Sequence, residues 1–265
     1  MLLLSIMLSK DLNKILQIIN EYISELLPQN ELKNFLLNGS KLMRSKLAIL
    51  YFRAQNYEIN DDFLKILAAG ELIHNASLLH DDVIDNSELR RGRTTIVKKY
   101  SSDISVLCGD YVVSKAIELL LKINNYEILS IFNNCVQNMT QAEVKQYLGR
   151  NTMSDREKYI EISKGKTAEL FAAILSSCAI ISNLEKKLPA KFGYTFGICF
   201  QIKNDFETRS IDEDKNNKTP NVIDVLGIEN ANALLDNYKE EMRDMLKNFP
   251  NNKYTAELKG LVEKL

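Results

Sequence analysis

The sequence predicts an all-α fold in a single domain covering residues 1–265. Residues that interrupt helices are scarce, since only 10 glycines and 4 prolines occur among 265 residues, about half the usual share. Apolar residues recur at helical spacing along most of the chain, and no run of alternating apolar and polar residues predicts a strand. No internal repeat, low-complexity linker or change of composition marks a domain boundary.

The first helix is predicted from Leu12, Ile15, Ile19 and Ile23, which recur at helical spacing, and Pro28 is expected to end it. Further helices are predicted at residues 42–55, 61–86, 103–123, 126–148, 166–183, 187–207, 229–247 and 252–264. The polar tract between the last long helix and the shorter ones, residues 208–221, predicts a mobile surface loop. Such a loop is either a plain connection or a lid.

The composition excludes several classes of protein. A net charge of −1 gives no electrostatic footprint for a nucleic acid. The longest apolar stretch, Ala168 to Ser182, is too short and too polar to cross a membrane, so no transmembrane segment is expected. The four cysteines form no CxxC pair and no secretory signal precedes them, which predicts reduced, buried thiols in a cytoplasmic protein.

An acidic cluster stands at the end of one predicted helix. Asp81 and Asp85 are four residues apart and share a helix face, and Asp82 lies beside them. Like charges near a helix C-terminus are locally unfavourable, so helix stability gives no reason for them. Mg²⁺ commonly binds one or two carboxylates together with water and phosphate oxygens. The cluster therefore predicts either a magnesium site or a solvated acidic helix end.

A basic cluster follows closely. Arg90, Arg91 and Arg93 surround Gly92, beginning five residues after Asp85. Arginine offers planar paired donors that suit phosphate oxygens. Carboxylates for a metal and guanidinium groups for a phosphate are together what a diphosphate site requires. The alternative is a surface network of salt bridges, which would contribute little.

With both clusters in place, the chain resembles the trans-isoprenyl diphosphate synthases, in particular the geranylgeranyl and octaprenyl type. The aspartate motif DDxxD and the following RRG of that family match residues 81–85 and 90–92, and the resemblance runs from about residue 36 to 220. It implies a helical bundle of the isoprenoid synthase type with a central cavity. It also implies a homodimeric, Mg²⁺-dependent prenyltransferase of isoprenoid biosynthesis.

The first basic motif of the family, GGKxxRP, corresponds to residues 39–45. Lys41 and Arg44 match, whereas Ser40 and Ser45 replace the second glycine and the proline. His74 falls at the family's position seven residues before the first aspartate. By resemblance, the groups that hold isopentenyl diphosphate are Lys41, Arg44, His74 and Arg91, and Arg90 holds the allylic diphosphate.

Further matches follow along the chain. Lys166 and Thr167 offer a cation and a hydroxyl donor for a phosphate, although Thr167 also suits an ordinary helix start. Gln201 matches a further family position and could instead be a satisfied core amide. The resemblance gives the catalytic group as Asp81, Asp82, Asp85, Arg90 and Lys166, with Thr167 and Gln201 binding substrate.

The second aspartate motif departs from the family. Where DDxxD is usual, Asn204 and Asp205 begin the motif and Thr208 ends it. The resemblance implies that Asp81, Asp85, Asn204 and Asp205 ligate the metal ions. Because two ligand charges are missing, we expect one magnesium site to be weakened rather than lost.

The implied reaction joins isopentenyl diphosphate to an allylic diphosphate, with magnesium ions neutralising the leaving group. The prediction depends on Asp81 and Asp85 facing Asp205 across one cavity. Small residues one turn before the aspartates, Ala76 and Ser77, leave the hydrocarbon channel open. Since one helical turn of about 5.4 Å accommodates about one isoprene unit, the expected product has 20 carbons or more.

Two alternatives stay open. The spacing of Asn204, Asp205, Thr208 and Asp212 resembles the second motif of class I terpene cyclases. Such cyclases usually surround their cations with aromatic side chains, whereas this chain has no tryptophan. The other alternative is a non-catalytic regulatory subunit of a prenyl synthase, which the altered second motif favours and the intact first motif opposes.

Overall fold

The computed structural model describes residues 2–23, 29–37, 41–149, 155–208 and 221–265. The helices are α1 (Leu2–Tyr22), α2 (Gln29–Leu37), α3 (Met43–Ala54), α4 (Asp61–Ile84), α5 (Ile96–Lys99), α6 (Ser102–Leu121), α7 (Tyr126–Leu148), α8 (Arg156–Ser163), α9 (Glu169–Ile181), α10 (Lys187–Thr208), α11 (Val222–Leu226), α12 (Ile228–Met245) and α13 (Lys253–Glu263). A π-helical segment, Lys164–Ala168, joins α8 to α9. The all-α prediction is confirmed, with one short hairpin, β1 (Leu89–Arg90) and β2 (Arg93–Thr94), added after α4.

The chain divides into two compact units. Unit 1 consists of Met1–Ile49 and Glu58–Leu129, and unit 2 consists of Leu50–Tyr57 and Ser130–Leu265. Two of the three unit boundaries fall within α3 and α7, and the third lies between α3 and α4. A single domain over residues 1–265 stays a prediction.

Helix α4 forms the centre of unit 1. Asn60 caps it, since the Asn60 side chain accepts a hydrogen bond from the Phe63 N–H at 2.8 Å. Its apolar residues are buried on nearly every side, as expected for a helix surrounded by others. Helix α6 packs along it, and a Cβ atom at Gly109 would come 2.2 Å from Nε2 of His80. Glycine at this position therefore lets α6 approach the last turns of α4.

Helices α9 and α10 form the centre of unit 2. Helix α9 is apolar on all sides, and nearly all of its residues are buried. Two glycines of α10 bring the backbones together, because a Cβ atom at Gly193 would lie 2.7 Å from Cα of Ala172. At Gly197 the same atom would lie 2.4 Å from Cα of Ala168, in the π-helical segment. The close contact fixes that segment against α10.

Most predicted helices are confirmed within two residues at each end, and 126–148 is confirmed without change. The predicted helix 166–183 is wrong at its start, because the chain is helical from Arg156 through the π-helical segment. Helices α2, α5, α8 and α11 and the hairpin were not predicted. The expected helix end at Pro28 and almost all of the predicted loop at 208–221 lie outside the described residues.

The prediction that the cysteines are reduced, buried thiols is confirmed. The four thiols are buried and form no disulfide, and they belong to Cys108, Cys135, Cys178 and Cys199. Among the helices of the described ranges, none combines the length and the apolar character that crossing a membrane requires.

Candidate active site

The first aspartate motif occupies the C-terminal end of α4. Asp81 and Asp82 lie in its last turn, and Asp85 is the C-cap residue, whose N–H donates to the Asp81 carbonyl oxygen at 2.9 Å. The side chains of Asp81 and Asp85 are half-buried, and helical spacing places them on one face. Asp82 is fully buried. The three aspartates therefore differ in environment. Asp81 and Asp85 share one helix face and are accessible to solvent, whereas Asp82 is not accessible.

The carboxylate of Asp82 holds Arg90. Its Oδ1 accepts a hydrogen bond from Nε of Arg90 at 2.8 Å and forms a salt bridge with Nη2 at 2.7 Å. The aspartate is inaccessible, whereas the arginine side chain is 30% exposed. A buried charge that loses its partner costs about 3–5 kcal/mol, so this pair is strongly constrained. Asp82 thus fixes the guanidinium group that the family resemblance assigns to the allylic diphosphate.

A two-residue turn presents the arginine cluster. In the hairpin, Leu89 pairs with Thr94 and Arg90 pairs with Arg93. The two turn residues have positive φ, 53° at Arg91 and 73° at Gly92. This is the combination that a type I′ hairpin turn requires, and glycine adopts it without strain. The RRG sequence is therefore explained by the turn as well as by its charge.

A basic cluster surrounds His74 in unit 1. Burial and the positive charges of Arg44, Arg91 and Arg90 lower the pKa of His74 well below its usual range. The imidazole is therefore neutral at pH 7, with one ring N–H to donate and one nitrogen to accept. Three guanidinium groups beside a neutral donor suit an anion with several oxygens, such as a diphosphate. Of the four residues assigned to isopentenyl diphosphate, the structure brings these three together: Arg44, His74 and Arg91.

The start of α3 carries the first basic motif. Arg44 is the second residue of α3 and is 7% exposed. Leu42, just before the helix, has a φ of 42°, which is unusual for a residue other than glycine. Lys41 is exposed, and residues 39 and 40 of the motif lie outside the described ranges.

A buried glutamate next to the basic cluster was given no role by the sequence. Glu71 is 1% exposed, and its Oε1 accepts hydrogen bonds from the Ser45 N–H at 3.1 Å and the Ser45 hydroxyl at 2.8 Å. Burial raises the pKa of Glu71, while Arg44, Ser45 and Arg91 act in the opposite direction. The signal that could have identified it is a carboxylate within the apolar run of α4, from Phe63 to Ile73.

In unit 2, the predicted phosphate-binding pair lies in the π-helical segment. Lys166 Nζ forms a salt bridge with Oε2 of Glu143 at 2.6 Å. Helix α7 comes close at this point, because a Cβ atom at Gly165 would lie 2.6 Å from Cβ of Ala142. Single-turn π-helical segments occur frequently at functional sites. The wider turn and the glycine together place Lys166 next to a carboxylate that the sequence did not single out.

A hydrogen-bond chain connects three predicted site residues of unit 2. The Thr167 hydroxyl donates to Oε1 of Gln201 at 2.8 Å, and Nε2 of Gln201 donates to Oδ1 of Asp205 at 2.7 Å. The other oxygen of Asp205 accepts the Tyr159 hydroxyl and the Val222 N–H, both at 2.8 Å. Asp205 is 7% exposed. Burial raises the pKa of Tyr159, and the negative charge of Asp205 raises it further. Tyr159 is the member that sequence reasoning missed.

The second aspartate motif lies in the last turns of α10. Asn204 is half-buried, and Asp205 is engaged by the three donors described above. A carboxylate offers about four acceptor positions, so these contacts leave little of its capacity for a cation. The Thr208 side chain and Asp212 lie outside the described residues. The metal-ligand assignments of Asn204 and Asp205 stay predictions.

The donor set at the end of α4 fits Mg²⁺. Within the described ranges, no three His, Cys, Asp or Glu side chains form a group able to hold a metal ion. Mg²⁺ does not require such a group, since it usually binds through one or two carboxylates and completes its octahedron with water and substrate phosphates. Asp81 and Asp85, half-buried on one helix face, supply that number of carboxylates.

Comparison with known proteins gives a consistent result. The polyprenyl synthetase family model matches residues 27–225. A prenyl transferase of Cyanidium caldarium is 32% identical over 204 residues, and an octaprenyl diphosphate synthase of Escherichia coli K12 is 32% identical over 181 residues, covering 75% and 66% of this chain. Those alignments span 62% and 56% of the two relatives, less than two thirds of their length.

A solved structure shares the fold. The crystal structure of geranyltransferase from Helicobacter pylori, complexed with magnesium and isoprenyl diphosphate, superposes with a TM-score of 0.81. The match is 22% identical and covers 97% of this chain and 95% of that one. At this identity the likeness establishes the fold alone.

Proposed function

The chain belongs to the polyprenyl synthetase family, and we propose that it is a trans-prenyltransferase that adds isopentenyl diphosphate to an allylic diphosphate. The observation that carries this proposal is the basic cluster of Arg44, His74, Arg90 and Arg91 in the unit whose central helix ends in Asp81 and Asp85. Three guanidinium groups and a neutral imidazole suit a diphosphate. The two aspartates suit the metal ion that such a group brings with it.

In this proposal, isopentenyl diphosphate binds to Lys41, Arg44, His74 and Arg91. Arg91 lies in a hairpin turn and Arg44 lies in the first turn of α3, so both guanidinium groups are held by short, ordered segments. The neutral state of His74 matters, because a fourth full charge beside Lys41, Arg44 and Arg91 would add repulsion between the cations before the substrate arrives. A neutral imidazole donates one hydrogen bond without that cost.

The allylic diphosphate binds to Arg90, and Lys166, Thr167 and Gln201 are the substrate-binding residues proposed in unit 2. Asp82 fixes Arg90, and the hydroxyl of Thr167 is oriented by Gln201. Lys166 forms its ion pair with Glu143 and would exchange that partner for a phosphate oxygen. Each binding group therefore has a neighbouring residue that sets its direction before substrate binds.

Asp81 and Asp85 would hold Mg²⁺, as the magnesium in the related geranyltransferase structure supports. The bound ion supplies charge neutralisation of the diphosphate leaving group. The residues of this chain provide no nucleophile: Arg90 and Lys166 share the negative charge that develops as the allylic C–O bond breaks. The double bond of isopentenyl diphosphate then attacks the allylic cation, and the departing diphosphate accepts the proton that is lost, which gives a product five carbons longer. Ligation by Asn204 and Asp205 stays a prediction.

We further propose a product of 20 carbons or more. The octaprenyl diphosphate synthase from Escherichia coli, which is 32% identical to this chain, supports a long product. Ala76, one turn before Asp81, is small, and it is 1% exposed. A small buried residue at this position leaves space for a growing chain that an aromatic side chain would occupy.

A homodimer is proposed from the surface of α6. Leu107, Ile117 and Leu121 share one face of this helix and are 62%, 43% and 57% exposed. Exposed large apolar residues that share one face of a helix are typical of a protein interface. A second copy of the chain is the occupant that the family resemblance implies. In sedimentation experiments, the wild type should be a dimer and the Leu107→Glu variant a monomer.

The main test is turnover. Purified protein with Mg²⁺, farnesyl diphosphate and labelled isopentenyl diphosphate should yield labelled diphosphates longer than the starter. Unlabelled cyclic hydrocarbons would favour the terpene cyclase, and absence of turnover would favour the regulatory subunit. The spacing of Asn204, Asp205, Thr208 and Asp212 is the observation that keeps the terpene cyclase as the second candidate.

A matched pair of variants tests the site. Asp81→Asn should reduce kcat by at least about a hundredfold, because it removes a ligand of the ion that stabilises the leaving group. Asp61→Asn makes the same change in the first turn of the same helix, where Asp61 is exposed, and should leave kcat within about twofold. Equal activity of the two variants would contradict the assignment of Asp81.

A further inference from the structure

We propose that Glu71, which accepts two hydrogen bonds from Ser45, is a positioning residue. It sets the direction of the Arg44 guanidinium group that binds the diphosphate of isopentenyl diphosphate. This inference rests on the proposed function and adds two residues to it. Neither residue is expected to touch the substrate. Their role is to set the direction of a guanidinium group that does.

A buried carboxylate in this place needs an explanation. Glu71 is 1% exposed and lies within electrostatic range of Arg44 and Arg91, in a region proposed to receive an anion. A negative charge there works against binding of a diphosphate. Burying an ionised carboxylate is also costly unless it is paired and hydrogen-bonded. The carboxylate is therefore better explained by the protein groups that it positions than by contact with a substrate.

The group that Glu71 holds is the first turn of α3. Ser45 is the third residue of that helix, and its N–H belongs to the first four, which have no acceptor within the helix. Oε1 of Glu71 accepts this N–H at 3.1 Å and the Ser45 hydroxyl at 2.8 Å. Glu71 thus caps α3 from a neighbouring helix, with its negative charge at the favourable end of the helix dipole.

Capping of α3 acts directly on Arg44. Arg44 precedes Ser45 in the chain, is 7% exposed, and carries the opposite charge to Glu71. The residue before the helix, Leu42, has a positive φ, so the chain entering α3 is bent in a conformation that branched and bulky residues rarely adopt. Contacts at Ser45 help to hold this bend and, with it, the backbone that carries Arg44.

The contact is a property of this chain rather than of the family motif. The motif that residues 39–45 resemble ends in proline, and Ser45 stands at that position. Proline has neither an N–H nor a hydroxyl group, so it could donate neither of the two hydrogen bonds that Ser45 provides. The double hydrogen bond to Glu71 is therefore possible only because serine stands where the family motif has proline.

The test uses the full-length protein and three substitutions at one position. Ser45→Ala removes the hydroxyl and keeps the N–H, Ser45→Pro removes both donors, and Ser45→Thr keeps both. Proline in the first turn removes an N–H that has no acceptor within the helix, but it also restricts the backbone of Arg44, so the comparison of alanine with threonine carries the test. We expect KM for isopentenyl diphosphate to rise about three- to tenfold in Ser45→Ala, further in Ser45→Pro, and about twofold or less in Ser45→Thr. KM for farnesyl diphosphate should stay within about twofold in all three.

Ser105→Ala is the matched control. Ser105 is also fully buried in unit 1, and its hydroxyl donates one hydrogen bond, to the Leu79 carbonyl oxygen at 2.9 Å. The control should lower the melting temperature as Ser45→Ala does and leave both KM values unchanged. If Ser45→Ala and the control change both KM values equally, the role of Ser45 is structural and the inference is wrong. If Ser45→Pro does not fold, the comparison of alanine with threonine decides.

Calorimetric titration of wild-type protein with isopentenyl diphosphate separates the two levels of the proposal. A wild type that neither binds this compound nor turns it over overturns the proposed function and, with it, the role of Glu71. A wild type that binds it, with Ser45→Ala binding equally well, overturns only the role of Ser45 and Glu71. Weaker binding by Ser45→Ala, restored in Ser45→Thr, supports the inference.

Discussion

Replacement of Gly197 by alanine should destabilise unit 2, because α10 touches the π-helical segment at this residue. The added Cβ atom would lie 2.4 Å from Cα and 2.7 Å from Cβ of Ala168, and 3.1 Å from Cδ2 of Phe171. Ordinary contacts between carbon atoms are about 3.5–4.0 Å, so the helices must separate by roughly 1 Å. Overpacking costs about 1–3 kcal/mol, and the backbone contact places this site at the upper end. Alanine recovers about 1 kcal/mol of helix propensity, leaving a loss of about 2 kcal/mol.

For a chain of 265 residues, that loss corresponds to a fall in melting temperature of about 4–8 °C. Thermal and urea denaturation at fixed protein concentration measure it. Gly260→Ala is the control, since Gly260 lies within α13 and an added Cβ atom there meets nothing within 4 Å. The control should gain about 0.5–1 kcal/mol. Equal stabilisation by both substitutions would refute the close approach of α10 to Ala168.

Three further predictions concern the site. Ala76→Tyr should shorten the product by at least one isoprene unit, measured by chromatography of the diphosphates, and an unchanged length would place Ala76 outside the channel wall. The pKa of His74 is lowered, so below about pH 6.5 the unfolded chain binds a proton there that the folded protein does not. Stability should therefore fall as pH falls through this range, by up to about 1.4 kcal/mol per pH unit, and His74→Asn should flatten that slope in urea denaturation. Asn204→Asp restores one ligand charge and should lower the Mg²⁺ concentration for half-maximal activity roughly three- to tenfold, whereas no change would remove Asn204 from the ligand set.

The long helices could be predicted because their signals are local. The start of α4 is marked by Asn60 followed by Asp61 and Asp62, a capping residue and two acidic residues that suit the first turn. Its apolar residues then recur for six turns. Such signals lie within a few residues of the feature they determine, and the sequence shows all of them.

The elements that were missed have no comparable signal. Each strand of the hairpin has two residues, too few for alternation to be visible. Its turn uses Arg91 and Gly92 in place of the Asn-Gly or Asp-Gly pairs that usually indicate a type I′ turn. The π-helical segment Lys164–Ala168 depends on packing against α7 and α10, through Gly165 and Gly197, and not on its own composition.

The residue types of the site could be predicted, whereas their partners could not. The sequence indicated Lys166 and Asp205, but Glu143 and Tyr159, which contact them, are remote in the sequence and ordinary in composition. Asp205 is hydrogen-bonded to Tyr159, which is 46 residues away, and Lys166 pairs with Glu143, 23 residues before it. No local pattern connects residues at such separations. Contacts of this kind exist only once the helices have packed.

The distribution of acidic residues on α4 connects these contacts to the proposed chemistry. Glu71 and Asp82 are 11 residues apart, about three turns, and therefore lie on one strip of the helix. Each is buried and faces an arginine: Asp82 binds Arg90 directly, and the charge of Glu71 acts on Arg44. The half-buried Asp81 and Asp85 occupy the adjoining strip.

Arginines without these carboxylates would repel one another and turn towards solvent before substrate binds. Held by buried anions, each guanidinium keeps a fixed direction and still has N–H groups to donate, since Arg carries five of them. In the proposed function, the buried strip of α4 therefore orients the cations for the diphosphates, and the neighbouring strip would bind magnesium. The two strips of this rigid helix face different groups. A change at Asp82 should therefore alter substrate affinity through Arg90 with little effect on the Mg²⁺ requirement. A change at Asp85 should alter the Mg²⁺ requirement with little effect on substrate affinity.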